Sequence, residues 1–270
     1  MCATCGCGGD GAVIHAVHPA HDHAHDDAPA GPHAGAHARD HAHVIPPGDA
    51  RTVHLQQKVL AKNDGIAAQN RDRLAERGLR MLNLMSSPGA GKTTLLEHTA
   101  RALAGRLDIA VIEGDQETAL DASRISAAGC RVVQINTGPG CHLDAAMVAR
   151  GLEELDPAPG TAVIIENVGN LVCPALFDLG EAHRVVLAAV TEGPDKPMKY
   201  PQMFRQADLV LLTKVDLLPY LEFDTGRYAE DLARVNPSAV LLHLSATSGE
   251  GMDAWLAWLT AAAAPLGRMR

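Results

Sequence analysis

Short, almost continuous apolar runs recur through most of the chain, and segments with helical periodicity separate them. The runs lie at 81–86, 109–113, 130–135, 161–166, 185–190, 209–213 and 239–244. A strand that is buried on both faces requires such a run, because helices cover both sides of a parallel sheet. The pattern therefore predicts an α/β protein with a mostly parallel, doubly wound sheet.

The first 48 residues differ in composition from the rest of the chain. Residues 8–48 are rich in Ala, Gly, Pro, Asp and His, they lack apolar periodicity, and most of the 14 histidines fall between residues 15 and 43. A segment of this kind buries too little apolar surface to offset its conformational entropy, so we predict disorder. We therefore divide the chain into a tail, 1–48, and one domain, 49–270, which opens with a predicted helix at 51–77.

Charge and hydropathy exclude several classes of protein. The formal net charge is −9, whereas nucleic-acid-binding domains usually carry a clustered basic face. No run of about 20 apolar residues is present to span a membrane, and the N-terminus lacks the basic-then-apolar pattern of a secretory signal. The sequence thus predicts a cytoplasmic protein that binds neither nucleic acid nor a membrane. In a reducing compartment, its six cysteines are expected to be metal ligands, reactive thiols or buried residues rather than disulfides.

The segment SSPGAGKTT at 86–94 lies between a predicted strand and a predicted helix, as a phosphate-binding P-loop requires. Its glycines allow backbone N–H groups to turn toward phosphates, and the helix N-terminus adds its dipole. Lys92 is expected to reach the β- and γ-phosphates and the Thr93 hydroxyl to bind Mg²⁺, so both are predicted to act in catalysis. Ser86 replaces the first glycine of the usual pattern, and the alternative is a glycine-rich turn that caps a helix. The predicted nucleotide-binding residues of the loop are Gly89, Ala90, Gly91, Lys92, Thr93 and Thr94.

Two carboxylates follow later apolar runs and are candidates for the magnesium site. Asp115 and Glu166 each end a predicted strand, and Mg²⁺ prefers oxygen ligands. Both are expected to bind the ion directly or through water, although either is also explained as a simple cap or turn residue. Gly169 is expected to donate its N–H to the γ-phosphate, which would make 166–171 a segment that senses the nucleotide.

The segment TKVD at 213–216 indicates which base is bound. An aspartate carboxylate is a pure acceptor, so Asp216 can take both N–H groups of the guanine edge, whereas adenine would leave it unpaired. A buried group that one base leaves unpaired gives discrimination between the two bases on the order of 10⁴. Lys214 is expected to pack along the base, and the backbone of Ser245 and Ala246 to contact it. Thr213 replaces the usual Asn, and a metabolic P-loop kinase would leave Lys214 and Asp216 unexplained, so GTP and GDP are the predicted ligands.

Three cysteines, Cys2, Cys5 and Cys7, lie close together at the N-terminus. After removal of Met1, three sulfurs and the amino group would form the flat four-coordinate site that Ni²⁺ favours. Tetrahedral Zn²⁺ is the rival, since thiolates suit it well, and an unstructured thiol-rich tail is the alternative to both. The histidine-rich segment is expected to hold Ni²⁺ or Zn²⁺ ions loosely, or else only to keep the tail soluble.

A second set of metal-ligand residues lies inside the domain. Cys141 and His142 precede a predicted helix, and Cys173 follows Gly169 closely. Two thiolates and an imidazole make an incomplete metal site, but a buried cysteine is often only a small apolar residue, and spacing leaves both interpretations open. Cys130, at the start of an apolar run, is expected to lie in the core.

Together these motifs resemble those of the hydrogenase nickel-incorporation GTPases, the HypB family. The most specific matches are NTGPGCHLD at 136–144 and ENVGNLVCP at 166–174. The similar urease-maturation GTPases carry Cys-Pro-His in place of Cys141 and His142. The departures at Ser86 and Thr213 agree with the family.

The resemblance implies a GTP-dependent homodimer with Cys141, His142 and Cys173 at the subunit interface, and a high-affinity nickel site at the N-terminal cysteines. It also implies that Lys196 or Lys199 approaches the nucleotide across the dimer. The predicted function is that of a GTP-hydrolysing nickel metallochaperone, which passes nickel to an accessory nickel-binding protein and then to the hydrogenase large subunit. The alternative is a nickel or zinc storage protein with a secondary GTPase core.

Overall fold

The structure is a computed structural model of the 270-residue chain. It describes residues 13–17, 50–116, 119–138 and 140–264, with backbone alone for 13–17 and 50–56. Cys2, Cys5, Cys7 and the histidine-rich segment lie outside the described side chains, so the predictions made for them stay predictions.

The described residues form strands that alternate with helices along most of the domain. The strands are β1 (Val13–Val17), β2 (Arg80–Ser86), β3 (Ile109–Asp115), β4 (Arg131–Asn136), β5 (Ala162–Glu166), β6 (His183–Ala189), β7 (Leu209–Thr213) and β8 (Val240–His243). The helices are α1 (Ala50–Glu76), α2 (Lys92–Leu103), α3 (Leu120–Ala127), α4 (Ala145–Leu155), α5 (Lys196–Lys199), α6 (Pro201–Arg205), α7 (Thr225–Val235) and α8 (Met252–Ala263). Short 3₁₀ turns occupy Cys173–Leu176, Val190–Glu192 and Val215–Tyr220.

The strands form one sheet in the order β1-β4-β3-β5-β2-β6-β7-β8. Every pairing from β4 to β8 is parallel, so the predicted mostly parallel α/β fold is confirmed. Strand β1 pairs antiparallel with β4 at the edge of the sheet. The sequence predicts disorder rather than a strand at 13–17, because a run as short as VIHAV inside a polar, histidine-rich segment carries little signal of its own.

Helices cover both faces of the sheet, as a doubly wound fold requires. On one face, Leu95 of α2, Ile125 of α3 and Trp255 of α8 are fully buried against the strands. On the other face, Val148 of α4 belongs to a core cluster that also includes Leu74 of α1. Residues of α6 and α7 form a further core cluster. The predicted helix at 51–77 thus becomes α1, which docks on the sheet.

The parallel arrangement brings the carboxyl ends of β2, β3, β5 and β7 to one edge. In open α/β sheets this edge is where ligands bind, and it is where the loops with the predicted motifs begin. Among the described helices, all are too short or too polar to cross a lipid bilayer.

Candidate functional site

The P-loop runs from the end of β2 to the first turn of α2. Gly89 and Gly91 have φ of 75° and 100°, a left-handed backbone that other residues adopt only with strain. The buried Lys92 ammonium donates a 3.0 Å hydrogen bond to the Oγ of Ser86, the residue that replaces the usual glycine. Burial lowers the pKa of Lys92, and the nearby Glu166 carboxylate opposes that shift. The loop is therefore preformed, with its lysine held inward beside the phosphate-binding backbone.

Thr93 and Glu166 meet beneath the start of α2. The Thr93 hydroxyl donates a 2.7 Å hydrogen bond to Oε1 of Glu166. Glu166 is only 4% exposed, and its Oε2 has no hydrogen-bond partner. Burial raises the pKa of this carboxyl to about 7, although Lys92 lowers it. A hydroxyl and a partly unsatisfied carboxylate are hard oxygen donors, so this pair fits the ligand preference of Mg²⁺.

Glu113, which sequence reasoning missed, lies beside Glu166 on the neighbouring strand β3. Its side chain is 2% exposed and its Oε2 is also without a partner. Burial, followed by the proximity of Glu166, raises the pKa of Glu113 to about 9. One signal was available in the sequence, since Glu113 ends the apolar run 109–113 as Glu166 ends the run 161–166.

An open cavity of about 450 Å³ lies above these residues. Asp115, Gly169 and Lys214 line it together with Glu113, Glu166 and the P-loop. Asp216, Ser245 and Ala246 do not line it. They belong to the neighbouring loops after β7 and β8, and the N–H of Val215 donates a 3.3 Å hydrogen bond to the Leu244 carbonyl between those loops.

The end of β7 is tied directly to the P-loop. The Thr213 hydroxyl donates a 2.7 Å hydrogen bond to the carbonyl of Ala90, so the unusual Thr at this position connects the predicted base-binding loop to the phosphate loop. Lys214 follows with a φ of 60°, which turns the chain sharply before Asp216. Of the TKVD segment, only Lys214 lines the cavity.

The three candidate metal-ligand residues inside the domain come together within one chain. The ligand atoms of Cys141, His142 and Cys173 all lie within 4.8 Å of one another. His142 is buried and stacks on Phe177 with ring centroids 4.0 Å apart. Burial lowers the pKa of His142, which favours the neutral imidazole that a metal ion requires. The cluster thus offers two sulfurs and one nitrogen to a single ion.

Cys130 is separate from this cluster, as expected. It is buried in the core beneath α3, and burial raises the pKa of its thiol to about 11. A neutral thiol in that position packs as a small apolar residue.

Hydrogen bonds connect the segment 166–173 to the loop that carries Cys141. The Asn170 amide donates to the Cys141 carbonyl at 3.4 Å, and the Asn167 side-chain oxygen accepts from the N–H of Leu143, also at 3.4 Å. On the other side, the Gln116 amide donates to the Gly140 carbonyl at 3.1 Å. The segments that follow β3 and β5 therefore both contact the metal-ligand loop.

The two lysines after β6 lie in different surroundings. Lys196 donates a 3.2 Å hydrogen bond to Ser87 of the P-loop, and its ammonium lies 5.2 Å from the centre of the Tyr200 ring. Lys199 instead forms an exposed 2.7 Å ion pair with Asp195. Within one chain, Lys196 is thus the lysine that reaches the phosphate loop.

Known proteins resemble this chain over most of its length. The family model described as "CobW/HypB/UreG, nucleotide-binding domain" matches residues 80–243. The hydrogenase maturation factor HypB of Rhizobium leguminosarum bv. viciae is 55% identical over 222 residues, which is 82% of this chain and 74% of that protein.

Two solved structures resemble the chain closely. The hydrogenase maturation factor HypB of Archaeoglobus fulgidus is 37% identical with a TM-score of 0.70, over 75% of this chain and 98% of that one. HypB from Helicobacter pylori, solved in complex with nickel, is 39% identical with a TM-score of 0.71, over 74% of this chain and 94% of that one.

Proposed function

The chain belongs to the CobW/HypB/UreG family and, within it, to the hydrogenase maturation factors HypB, and from this premise we propose that it is a GTP-hydrolysing nickel metallochaperone for nickel–iron hydrogenase. One observation carries the proposal. The segment that begins with Glu166 and Gly169 in the nucleotide cavity continues to Cys173, whose sulfur lies within 4.8 Å of the ligand atoms of Cys141 and His142.

The nucleotide is proposed to be GTP. The Asp216 carboxylate is a pure acceptor that would take the N–H groups of guanine, with Lys214 packed along the base. The backbone N–H groups of the P-loop and the Lys92 ammonium would hold the phosphates. Thr93 and Glu166 would hold Mg²⁺, which neutralises charge on the transferred phosphoryl group when bound.

Nickel is proposed to be the cargo. Thiolates and imidazoles suit both nickel and zinc, and the cluster of Cys141, His142 and Cys173 supplies three such donors. A four-coordinate ion needs a fourth, and a second copy of the chain would supply it if a GTP-dependent homodimer places two clusters together. A nickel complex of the H. pylori relative supports this choice of metal. The N-terminal cysteines are proposed as a separate nickel site.

Hydrolysis is proposed to change the nickel affinity. Gly169 packs against the P-loop, where a Cβ at its position would lie 2.9 Å from Pro88 Cα. Loss of the terminal phosphate would relax 166–173 and displace the Cys173 sulfur. Two sites that bias one bistable segment meet the requirement for allosteric coupling. The released ion would pass to an accessory nickel-binding protein and then to the hydrogenase large subunit.

The test is a nickel titration of the full chain in two nucleotide states. Cys2→Ser, Cys5→Ser and Cys7→Ser remove the tail thiolates, and a competing chelator keeps weak histidine sites empty. With a non-hydrolysable GTP analogue and with GDP, we expect affinities that differ by about tenfold, a coupling of about 1.4 kcal/mol. Cys173→Ser should abolish the difference, and Cys130→Ala is the matched control. Equal affinities in the two states would remove the proposed switch.

A further inference from the structure

Glu113 and Glu166 are direct neighbours across the sheet. Strands β3 and β5 pair in parallel, and the register places Glu113 opposite Glu166. Both residues end their apolar runs at the edge where the nucleotide cavity lies.

The two side chains also point to the same face of the sheet. Side chains alternate along a strand. Val111 and Ile164, two residues earlier on each strand, belong to the core cluster that contains Leu95 of α2. Ile112 and Ile165 belong to the cluster on the opposite face. Glu113 and Glu166 therefore both face α2, beneath the turn that begins with Lys92 and Thr93.

Each of these carboxyls is buried and has one oxygen that lacks a hydrogen-bond partner among the described residues. Glu113 is 2% exposed and Glu166 4% exposed, and the Oε2 of each lacks a hydrogen-bond partner. Buried polar atoms in folded proteins are almost always hydrogen-bonded, so two such atoms side by side in a ligand cavity indicate a missing binding partner. Glu166 has Thr93 beside it as a second oxygen donor, whereas Glu113 lies one strand further from the P-loop strand β2.

We propose that Glu113 is a positioning residue of the magnesium site, which accepts a hydrogen bond from a water molecule of the ion held by Thr93 and Glu166. Mg²⁺ dehydrates reluctantly and keeps several of its waters, so the site needs acceptors for those waters beyond Thr93, Glu166 and Asp115, which also lines the cavity. A carboxylate with a free oxygen, on the next strand and the same face, is such an acceptor. This inference rests on the proposed function, because it takes a magnesium–nucleotide complex as the ligand.

The experiment measures magnesium affinity rather than turnover. The full chain is loaded with a fluorescent GDP analogue, and the rate of its dissociation is followed while Mg²⁺ is titrated. Outer-shell partners of protein metal sites typically contribute 10–100-fold to metal affinity. We expect Glu113→Gln to raise the Mg²⁺ concentration for half-maximal slowing by about tenfold or more. Dissociation in excess EDTA should be unchanged, since Glu113 is proposed to act only through a water of the bound ion.

Two further variants separate this role from a structural one. Glu181→Gln removes another buried carboxyl, which is paired with Arg184 away from the cavity, and it should leave the Mg²⁺ midpoint unchanged. Glu113→Asp keeps the carboxyl group on a shorter side chain and should fall between wild type and Glu113→Gln. It also provides the measurement if Glu113→Gln does not fold.

Three outcomes would contradict the inference or its premise. A Mg²⁺ midpoint of Glu113→Gln within twofold of wild type overturns it. The inference is also overturned if Glu113→Gln loses hydrolysis at saturating Mg²⁺ while its Mg²⁺ midpoint is unchanged. In that case Glu113 would act on the attacking water rather than on the ion's water. If wild type itself fails to bind the GDP analogue, the proposed function fails instead, and the two failures are therefore distinguishable.

Discussion

Gly169 packs so closely against Pro88 that a Cβ on Gly169 would lie 2.9 Å from the Pro88 Cα and 3.0 Å from its nitrogen. This contact joins the loop after β5 to the P-loop at the backbone level. Because the neighbouring atoms are backbone rather than the end of a flexible side chain, the contact has little room to adjust. Under the proposed switch, this contact would carry a movement of the phosphate loop to the segment that leads to Cys173.

Gly169→Ala is expected to push these two loops apart. Forcing a methyl group into a tightly packed site costs about 1–3 kcal/mol, and the displaced P-loop should bind nucleotide at least several-fold more weakly. The matched control is Gly65→Ala on α1, where a Cβ meets nothing within 4 Å and Ala should stabilise the helix by about 0.5–1 kcal/mol. Thermal unfolding and GDP titration measure both effects. A Gly169→Ala protein with wild-type affinity would show that the contact is not functional.

Asp216→Asn is expected to weaken GTP binding by about 10–100-fold, because hydrogen bonds to a charged group contribute about 1.5–3 kcal/mol and an amide presents a donor where guanine also donates. ATP affinity should change little. Asp224→Asn is the control, since Asp224 caps α7 by accepting from the N–H of Arg227 and Asn caps a helix equally well. If both variants bind GTP alike, Asp216 does not read the base.

The sequence predicted the strands that carry the site better than the contacts between its side chains. Each apolar run overlaps a strand of the parallel sheet, because burial on both faces leaves a strong local pattern. Glu113 was missed since its meaning depends on the β3–β5 register, which one strand alone does not encode. The approach of Cys173 to Cys141 is likewise a tertiary property, produced when β4 and β5 end at the same edge. Periodicity also gave no sign that β1 would extend the sheet.

The three described cysteines should differ sharply in reactivity. Thiolates, not thiols, react with alkylating agents, and burial raises the pKa of Cys130 to about 11. Because the raised pKa keeps this thiol protonated until the pH approaches that value, Cys130 should resist iodoacetamide between pH 7 and 9. Cys141 and Cys173, which are half-buried, should be labelled. Peptide mass spectrometry after timed labelling of the folded, metal-free protein measures all three. Labelling of Cys130 at the same rate as Cys173 would contradict its placement in the core.

Asn70 on α1 connects the two segments that carry the proposed metal ligands. Its amide donates to the Ala145 carbonyl at 2.9 Å and to the Leu179 carbonyl at 3.1 Å, and the residue is only 1% exposed. Ala145 begins α4 just after His142, and Leu179 follows the Phe177 ring on which His142 stacks. One side chain thus holds both segments at a fixed separation.

Asn70→Ala should therefore reduce both stability and nickel binding. Two buried carbonyls lose a partner, which costs about 2–6 kcal/mol in total at about 1–3 kcal/mol for each unsatisfied group. Urea unfolding of the metal-free protein measures that loss, and Gln69→Ala, an exposed neighbour on the same helix, should change the stability by less than about 0.5 kcal/mol. Nickel affinity of the chain without its tail cysteines should fall in Asn70→Ala at temperatures where the protein remains fully folded. An unchanged nickel affinity alongside the lost stability would mean that α1 supports the fold but does not set the geometry of the cluster.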